Sequence, residues 1–394
     1  MYKRQNKLFL IITVISALLL TTGCDLFIKT NKGQVDQKWY MGLTYEDDNG
    51  NDTDYTIETD GTIAAVALED GYGDEFGIIK GEEAYLNINT IIKNIDKRFY
   101  VDTTNNLVMF TDATKTYKTK IGGKTINETE NTDYVISFMD GKNCYVNVKF
   151  VKKYVDFDYK VVKAEGKSPA RIVLKYTSGE KNQMTVKSNI EMRTKADYQN
   201  LIVTTLKKNT KVTVLEESGD WTKVGTDDGF MGYVPAKKLK DKETKKTDFK
   251  SDADTYTHVL MDKKISLGWN AITNLTANGN LETIIEHTKG LNVISPTWYS
   301  LSDNKGNLRS YASATYVEKA HSKGLKVWAL VNDFGTQDKA SKEYTKKVLT
   351  DTTKRENLVD NIMTNIKDYN LDGINIDFEF INKDITVSYT HLRA

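Results

Sequence analysis

The sequence predicts a multidomain chain, β-rich through its first half and α/β in its last third. Three textures predict it. Residues 25 to about 185 read as many short strands separated by Gly, Asn and Asp turns, among them TIAAVALED, FGIIKG, NLVMFTD and ARIVLKYTSG. Residues 186–240 continue as short strands joined by tight turns. From residue 263 strands alternate with helices, a spacing that argues for parallel βαβ units and hence for a barrel or a doubly wound sheet.

Composition bounds the function. The 394 residues allow two or three domains. With 55 basic and 54 acidic residues the net charge is +1, so no bulk field draws the chain to nucleic acid. Three prolines and 22 tyrosines lean towards β-structure; tyrosines point to carbohydrate only weakly, because they also fill ordinary sheets. His258, His287, His321 and His391 are scattered, and no Cys/His pattern has zinc spacing, so no metal site is predicted. Cys144 lies in an alternating apolar run and is expected in a core.

The first segment is a processing signal rather than part of a fold. MYKRQNK supplies a positive start, LFLIITVISALLL an apolar core too short for a confident membrane span, and TTGC ends at Cys24. Residues 1–24 resemble a bacterial lipoprotein signal, with Thr21 where Leu is usual and Leu20 beside it. The resemblance implies a lipidated Cys24 as first mature residue, held at the outer face of the cell membrane by more than one acyl chain and facing the wall. The plainer reading is a secretory signal with a chance cysteine.

Within 25–185 the chain repeats itself. EAYLNINTIIKNIDKRF and NCYVNVKFVKKYVDFDY align without a gap at an offset of 60, pairing Tyr85 with Tyr145, Asn87 with Asn147, Lys93 with Lys153 and Asp96 with Asp156; Gly81 and Gly141 precede them. Each copy reads strand, short helix, strand. Over about 75–180 the pattern resembles the copper amine oxidase N-terminal-like domain, which implies a scaffold or wall-adhesion module. No copper is implied, since neither copy has a histidine. EDDNGNDTD fails as a calcium loop: aligning Gly50 with the loop glycine puts Tyr45 at the first ligand position, so a solvated turn is expected.

Residues 186–240 carry Met192-Arg193, Asn209-Thr210-Lys211-Val212, Gly219-Asp220-Trp221 and Gly232-Tyr233-Val234. Together these resemble a bacterial SH3-like domain, which implies a small β-barrel that either binds wall peptide or glycan or merely spaces its neighbours. The charged, apolar-poor stretch from 241 to 262 is expected to be a solvated linker, or else a charged surface helix.

In the α/β region KKISLGWN is a strand and NLETIIEHTK a helix. LNVISPTWYSL is a strand ending in a loop, ATYVEKAHSKG a helix stopping at Gly324, and LKVWALVN a third strand. KRENLVDNIMTNIKDYN is a helix with Leu358, Ile362 and Ile366 four apart, and LDGINIDFEF the fourth strand. Alternation sorts that strand into two faces: Gly373, Asn375, Asp377 and Glu379 on one, Ile374, Ile376, Phe378 and Phe380 on the other. The apolar face suits a layer of helices, so the acids face inward, with Glu379 nearest the carboxyl end where barrels carry their chemistry. Solvated acids at a strand end are the plainer reading. Against it stands the shared parity of the acids and the unbroken Ile/Phe face behind them.

DGINIDFE matches, almost letter for letter, the signature of the family 18 glycoside hydrolases, the chitinase-like enzymes. The resemblance runs over about 263–386 and includes SLGW, SPTWYSL and KGLKVWALV on the earlier strands. The likeness is nearest to the spore-cortex and cell-wall N-acetylglucosaminidases of that family. It implies the first half of a (β/α)8 barrel over 263–387. It also implies a glycosidase acting on N-acetylglucosamine-containing glycan, peptidoglycan or chitin, by a retaining, substrate-assisted route that needs no metal or organic cofactor. By motif position Glu379 corresponds to the general acid and Asp377 to the residue that orients the substrate acetamide. Asp372 opens the motif and supports the strand from outside the cavity, and Asn375, where many members have Asp, tunes the site. Trp269, Trp298 and Tyr299 are candidates to stack on sugar rings, or else pack in the core or rim.

A barrel of this type takes about 250 residues, and roughly half that length follows residue 263. The ending VSYTHLRA loses the pattern of its surroundings and resembles a translated sequencing adapter, so 388–394 are expected to be an artefactual tail and the half-barrel to be inactive and aggregation-prone. The competing function is a lipid-anchored, non-catalytic wall-glycan-binding protein; the presence of Glu379 weighs against it.

Overall fold

The computed structural model describes residues 30–112, 115–250, 260–334, 339–382 and 385; Cys24 and 388–394 lie outside them. The described residues form two compact units, one from 30–90 with 140–250, the other from 91–139 with 260–385.

The described residues of the first unit form two large sheets and a small two-stranded one, Thr44–Glu46 with Asp52–Asp54. In one large sheet, strands lie in the order Asn143–Asn147, Glu83–Asn87, Gly77–Lys80, Thr62–Ala67, Ala170–Lys175, Asp158–Val162. The two repeat copies thus meet strand to strand. They run antiparallel with Tyr85 opposite Asn147 and Asn87 opposite Tyr145, a register that exchanges equivalent residues. Each copy enters its strand through a glycine in the left-handed region, Gly81 at φ +61° and Gly141 at +55°. Each leaves through an asparagine that caps the following turn: Asn87 Oδ1 accepts the Asn89 N–H at 2.9 Å, and Asn147 Oδ1 the Lys149 N–H at 2.8 Å. EDDNGNDTD is a hairpin turn in which the Asp47 carboxylate accepts the amides of Asn49 and Asn51, as a solvated turn requires.

The second sheet runs Ile202–Leu206, Ile190–Arg193, Met231–Pro235, Trp221–Gly225, Lys211–Ser218, Gly179–Val186, Leu239–Thr247. Met192, Val212, Val224 and Val234 form its buried side. Arg193 is buried too, and its Nη1 donates to the carbonyls of Asn31, Tyr198 and Asn200. The charged stretch expected to open a solvated linker departs from that expectation: Leu239–Thr247 pairs antiparallel with Gly179–Val186, from Val186 opposite Leu239 to Gly179 opposite Thr247. Pairing uses only main-chain groups, so Lys and Glu side chains can stand out to solvent on both faces of an edge strand, where they also discourage edge-to-edge association.

In the second unit, strands β1 (Phe99–Asp102), β2 (Leu107–Thr111) and β3 (Thr116–Lys120) form an antiparallel meander. Four parallel strands follow in spatial order: β4 (Leu267–Asn270), β5 (Val293–Pro296), β8 (Lys326–Asn332) and β9 (Gly373–Asp377). Past Pro296 the chain resumes as β6 (Tyr299–Leu301), which pairs with the upper half of β8 and forms a hairpin with β7 (Leu308–Ser310). The helices are α1 (Leu281–Glu286), α2 (Ala314–Ser322), α3 (Lys339–Leu349) and α4 (Thr352–Asp368). Tyr316, Val317 and Ala320 of α2 and Leu358 and Ile362 of α4 pack with Ile294, Val327, Ala329 and Val331 into one core. α3 escapes periodicity reasoning because its sequence, KASKEYTKKVL, is mostly polar.

Candidate active site

Strand β9 is fastened at both ends. At its amino end the Asp372 N–H donates to Val327 O at 3.0 Å. Its Oδ2 accepts the Val327 N–H at 2.9 Å and lies 2.8 Å from His321 Nε2, and Lys326 Nζ stands 3.4 Å from Oδ1. Partial burial pushes this carboxyl up, but the Val327 amide, His321 and Lys326 outweigh it and hold it below its ordinary value. Asp372 therefore ties β9 to β8 and α2 at the end of the strand remote from Glu379.

Between those ends the register runs from Trp328 opposite Gly373 to Asn332 opposite Asp377. Ile374, Ile376 and Phe378 pack on the helix-side core, so Gly373, Asn375 and Asp377 occupy the other face, as the alternation predicts. Position 373 must be small: a Cβ there would meet the Trp328 indole at 2.8 Å. On the inner face Asn375 Nδ2 donates to Ser295 Oγ at 3.4 Å, and Ser295 is the register neighbour of Trp269 on β4. Trp269 is 69 % exposed, so an open indole face stands on the same side of the sheet as Asn375 and Asp377. Asp377 is half-buried, and Glu379, just beyond the strand at its carboxyl end, is exposed.

Trp298 and Tyr299 do not join this face. They are 0 % and 1 % exposed and lie in the helix-side core, where Trp298 Nε1 donates to Asn278 Oδ1 at 2.8 Å and its ring meets Tyr316 edge-on at 5.1 Å. Tyr299 is the register neighbour of Val331, a helix-side residue, and parity carries its ring the same way. Neither ring can stack on a sugar, which corrects the expectation for both.

One residue of the site escaped the sequence reading. Asp333 follows β8 directly and is 0 % exposed. Its Oδ1 accepts the Glu379 N–H at 2.9 Å, and its Oδ2 accepts the Phe380 N–H at 3.1 Å and the Thr345 hydroxyl at 3.0 Å. The signal was present: Asp333 continues the apolar parity of Val327, Ala329 and Val331, an unusual place for a carboxylate. Beside it Asn332 Oδ1 is buried without a hydrogen-bond partner among the described residues, across the ladder from Asp377. Among the described residues no group of three or more His, Cys, Asp or Glu side chains is arranged to hold a metal ion.

Comparison with known proteins meets this region. Residues 291–392 match the family model described as glycosyl hydrolases family 18, and residues 188–240 match the bacterial SH3 domain model. No curated protein matches the chain. Among solved structures, similarity reaches a chitinase from Chromobacterium violaceum at 14% identity, covering 32% of this chain and 39% of that one with a TM-score of 0.27. A chitinase from Bacteroides thetaiotaomicron is 19% identical over 32% and 40% of the two chains, with a TM-score of 0.27. The Bacillus cereus spore cortex-lytic enzyme SleL is 16% identical over 32% and 30%, with a TM-score of 0.28. The chain thus spans well under half of each of these structures, and at such TM-scores they add nothing to what the residues themselves say.

Proposed function

We propose that the α/β region is the acid-bearing part of a glycoside hydrolase acting on N-acetylglucosamine-containing wall glycan, with Glu379 as the proton donor and Asp377 as its partner. One coincidence carries this reading. The segment that matches the family 18 model contains the strand whose polar parity sets Asn375 and Asp377 on one face, with Glu379 exposed at its carboxyl end.

The chemistry follows from what each group can hold. The 2-acetamido oxygen of the sugar attacks its own anomeric carbon, the bond to the leaving oxygen breaks, and the Glu379 carboxyl gives that oxygen its proton. The Glu379 carboxylate then takes a proton from a water whose oxygen attacks the same carbon, reopening the oxazolinium ring and restoring both the acetamide and the protonated acid. Asp377 orients the acetamide for the first attack. Trp269 offers an apolar face to a sugar ring. The bacterial SH3 segment, 188–240, would hold the chain on wall peptide or glycan, and Cys24 would tether it to the membrane beneath.

The test is muropeptide release from purified peptidoglycan by a full-length clone, compared with its Glu379→Gln variant. Release that falls by about a hundredfold or more in the variant is the expected result. Equal release by both proteins would remove the catalytic reading and leave a wall-binding protein.

A further inference from the structure

We propose that Asp333 is the positioning residue for Glu379, an inference that rests on the general-acid reading of Glu379. The β8–β9 ladder ends with Asn332 opposite Asp377. Beyond it the Asp333 side chain takes over the role of a partner strand: its two carboxylate oxygens receive the amides of Glu379 and Phe380 at 2.9 and 3.1 Å. The contact therefore fixes the main chain at the acid, not the acid itself.

Three features argue that this clamp is built for the site. The carboxylate is wholly buried, and a buried carboxylate persists only where donors satisfy it. Here the donors are two amides of the acid-bearing segment and the Thr345 hydroxyl, which reaches Asp333 from α3 at 3.0 Å and holds its rotamer. Finally, the Glu379 side chain stays exposed while its amide is anchored. A group that gives a proton to one oxygen and then takes one from water needs this combination, a fixed main chain under a carboxyl free to turn.

The experiment compares the protein from a full-length clone with its Asp333→Asn variant, which keeps shape but can no longer accept both amides, and with Thr345→Val, which removes one donor from the carboxylate while leaving it in place. In isotope-labelled protein the Glu379 and Phe380 amide protons are expected to move upfield and exchange at least about tenfold faster in D333N, with a smaller change in T345V. In glycan hydrolysis kcat is expected to fall about 10–100-fold in D333N with KM nearly unchanged, because displacement of the acid affects chemistry more than binding. T345V reports the same trend if D333N fails to fold. Unchanged Glu379 and Phe380 amides in folded variants, or a loss confined to KM, would overturn the proposal. Glu379→Gln in the same assay separates the two ideas: undiminished hydrolysis there removes the general-acid reading, whereas the amide signals judge the Asp333 clamp by themselves.

Discussion

The Asp372 carboxylate lies 2.8 Å from His321 Nε2 and ties the end of α2 to the start of β9. Because the same oxygen accepts the Val327 amide, one side chain joins α2, β8 and β9 at the end of the sheet away from Glu379. Asp372→Asn is expected to cost about 1–2 kcal/mol in urea unfolding, the range for one charge-assisted contact in a partly exposed setting. The carboxyl is held below its ordinary value in the folded chain, so its contribution is complete above the unfolded value near pH 4 and is lost as pH falls through the folded value. The gap between the parent chain and D372N should therefore be full at pH 5 and narrow steadily as pH falls below the unfolded value near 4. A gap that widens on acidification would reverse this assignment.

Trp269 and Trp298 belong to neighbouring strand segments but to opposite environments. Trp298 is buried against Tyr316, and Trp298→Ala is expected to cost about 3–5 kcal/mol through the cavity it leaves. Trp269→Ala should change stability by no more than about 0.5 kcal/mol, since its ring is mostly exposed. The order reverses for ligand: W269A should weaken retention on insoluble peptidoglycan at constant fold. Paired unfolding curves and pull-down assays separate the two, and equal stability losses would contradict the assigned faces.

Cys144 is the second of two cysteines in the chain, buried on the strand Asn143–Asn147 that pairs with the other repeat copy. Burial pushes its thiol up to about 12, so at pH 8 it stays protonated as well as inaccessible. In a Cys24→Ser background, which leaves this thiol alone, Ellman's reagent is expected to react only after guanidinium unfolds the chain. Full reaction in the native protein would place Cys144 at the surface.

What could be read from residues alone follows the strength of local pattern. The four parallel strands and the helices α2 and α4 were legible because their apolar positions keep a strict period, as in Leu358, Ile362 and Ile366. The two faces of β9 were legible for the same reason. The strand Leu239–Thr247 was not, because an edge strand exposed on both faces needs no apolar alternation, and α3 was hidden by its lysines. Trp298 and Tyr299 show a different limit. Their place depends on the break after Pro296, where the chain leaves β5 and resumes as β6, and nothing in SPTWYSL says which way the rings turn. Asp333 shows a third: its partners are main-chain amides 46 and 47 residues away, which leave no trace in side-chain spacing.

Asp102 links the meander to helix α4 within the second unit. It is 1 % exposed, its Oδ2 accepts the Thr352 N–H at 2.7 Å and Asn105 Nδ2 at 2.9 Å, and its Oδ1 accepts the Asn105 N–H at 3.0 Å. Thr352 is the first residue of α4, so a carboxylate from the β1 strand serves as a second cap for that helix beside its own cap, Asp351. Arg355, one turn on, lies over the Tyr100 ring at 5.7 Å and strengthens the same contact. Burial pushes the Asp102 carboxyl up, but the Thr352 and Asn105 donors outweigh it, so it stays below its ordinary value and stabilises the fold above about pH 4. Asp102→Asn is expected to cost about 2–3 kcal/mol at pH 7, since a buried charge-assisted cap is replaced by a weaker neutral one. The loss should be shared: amides of β1–β3 and of the first turn of α4 are expected to exchange faster together. Faster exchange in the meander alone, with the start of α4 unchanged, would mean that the helix does not depend on this cap.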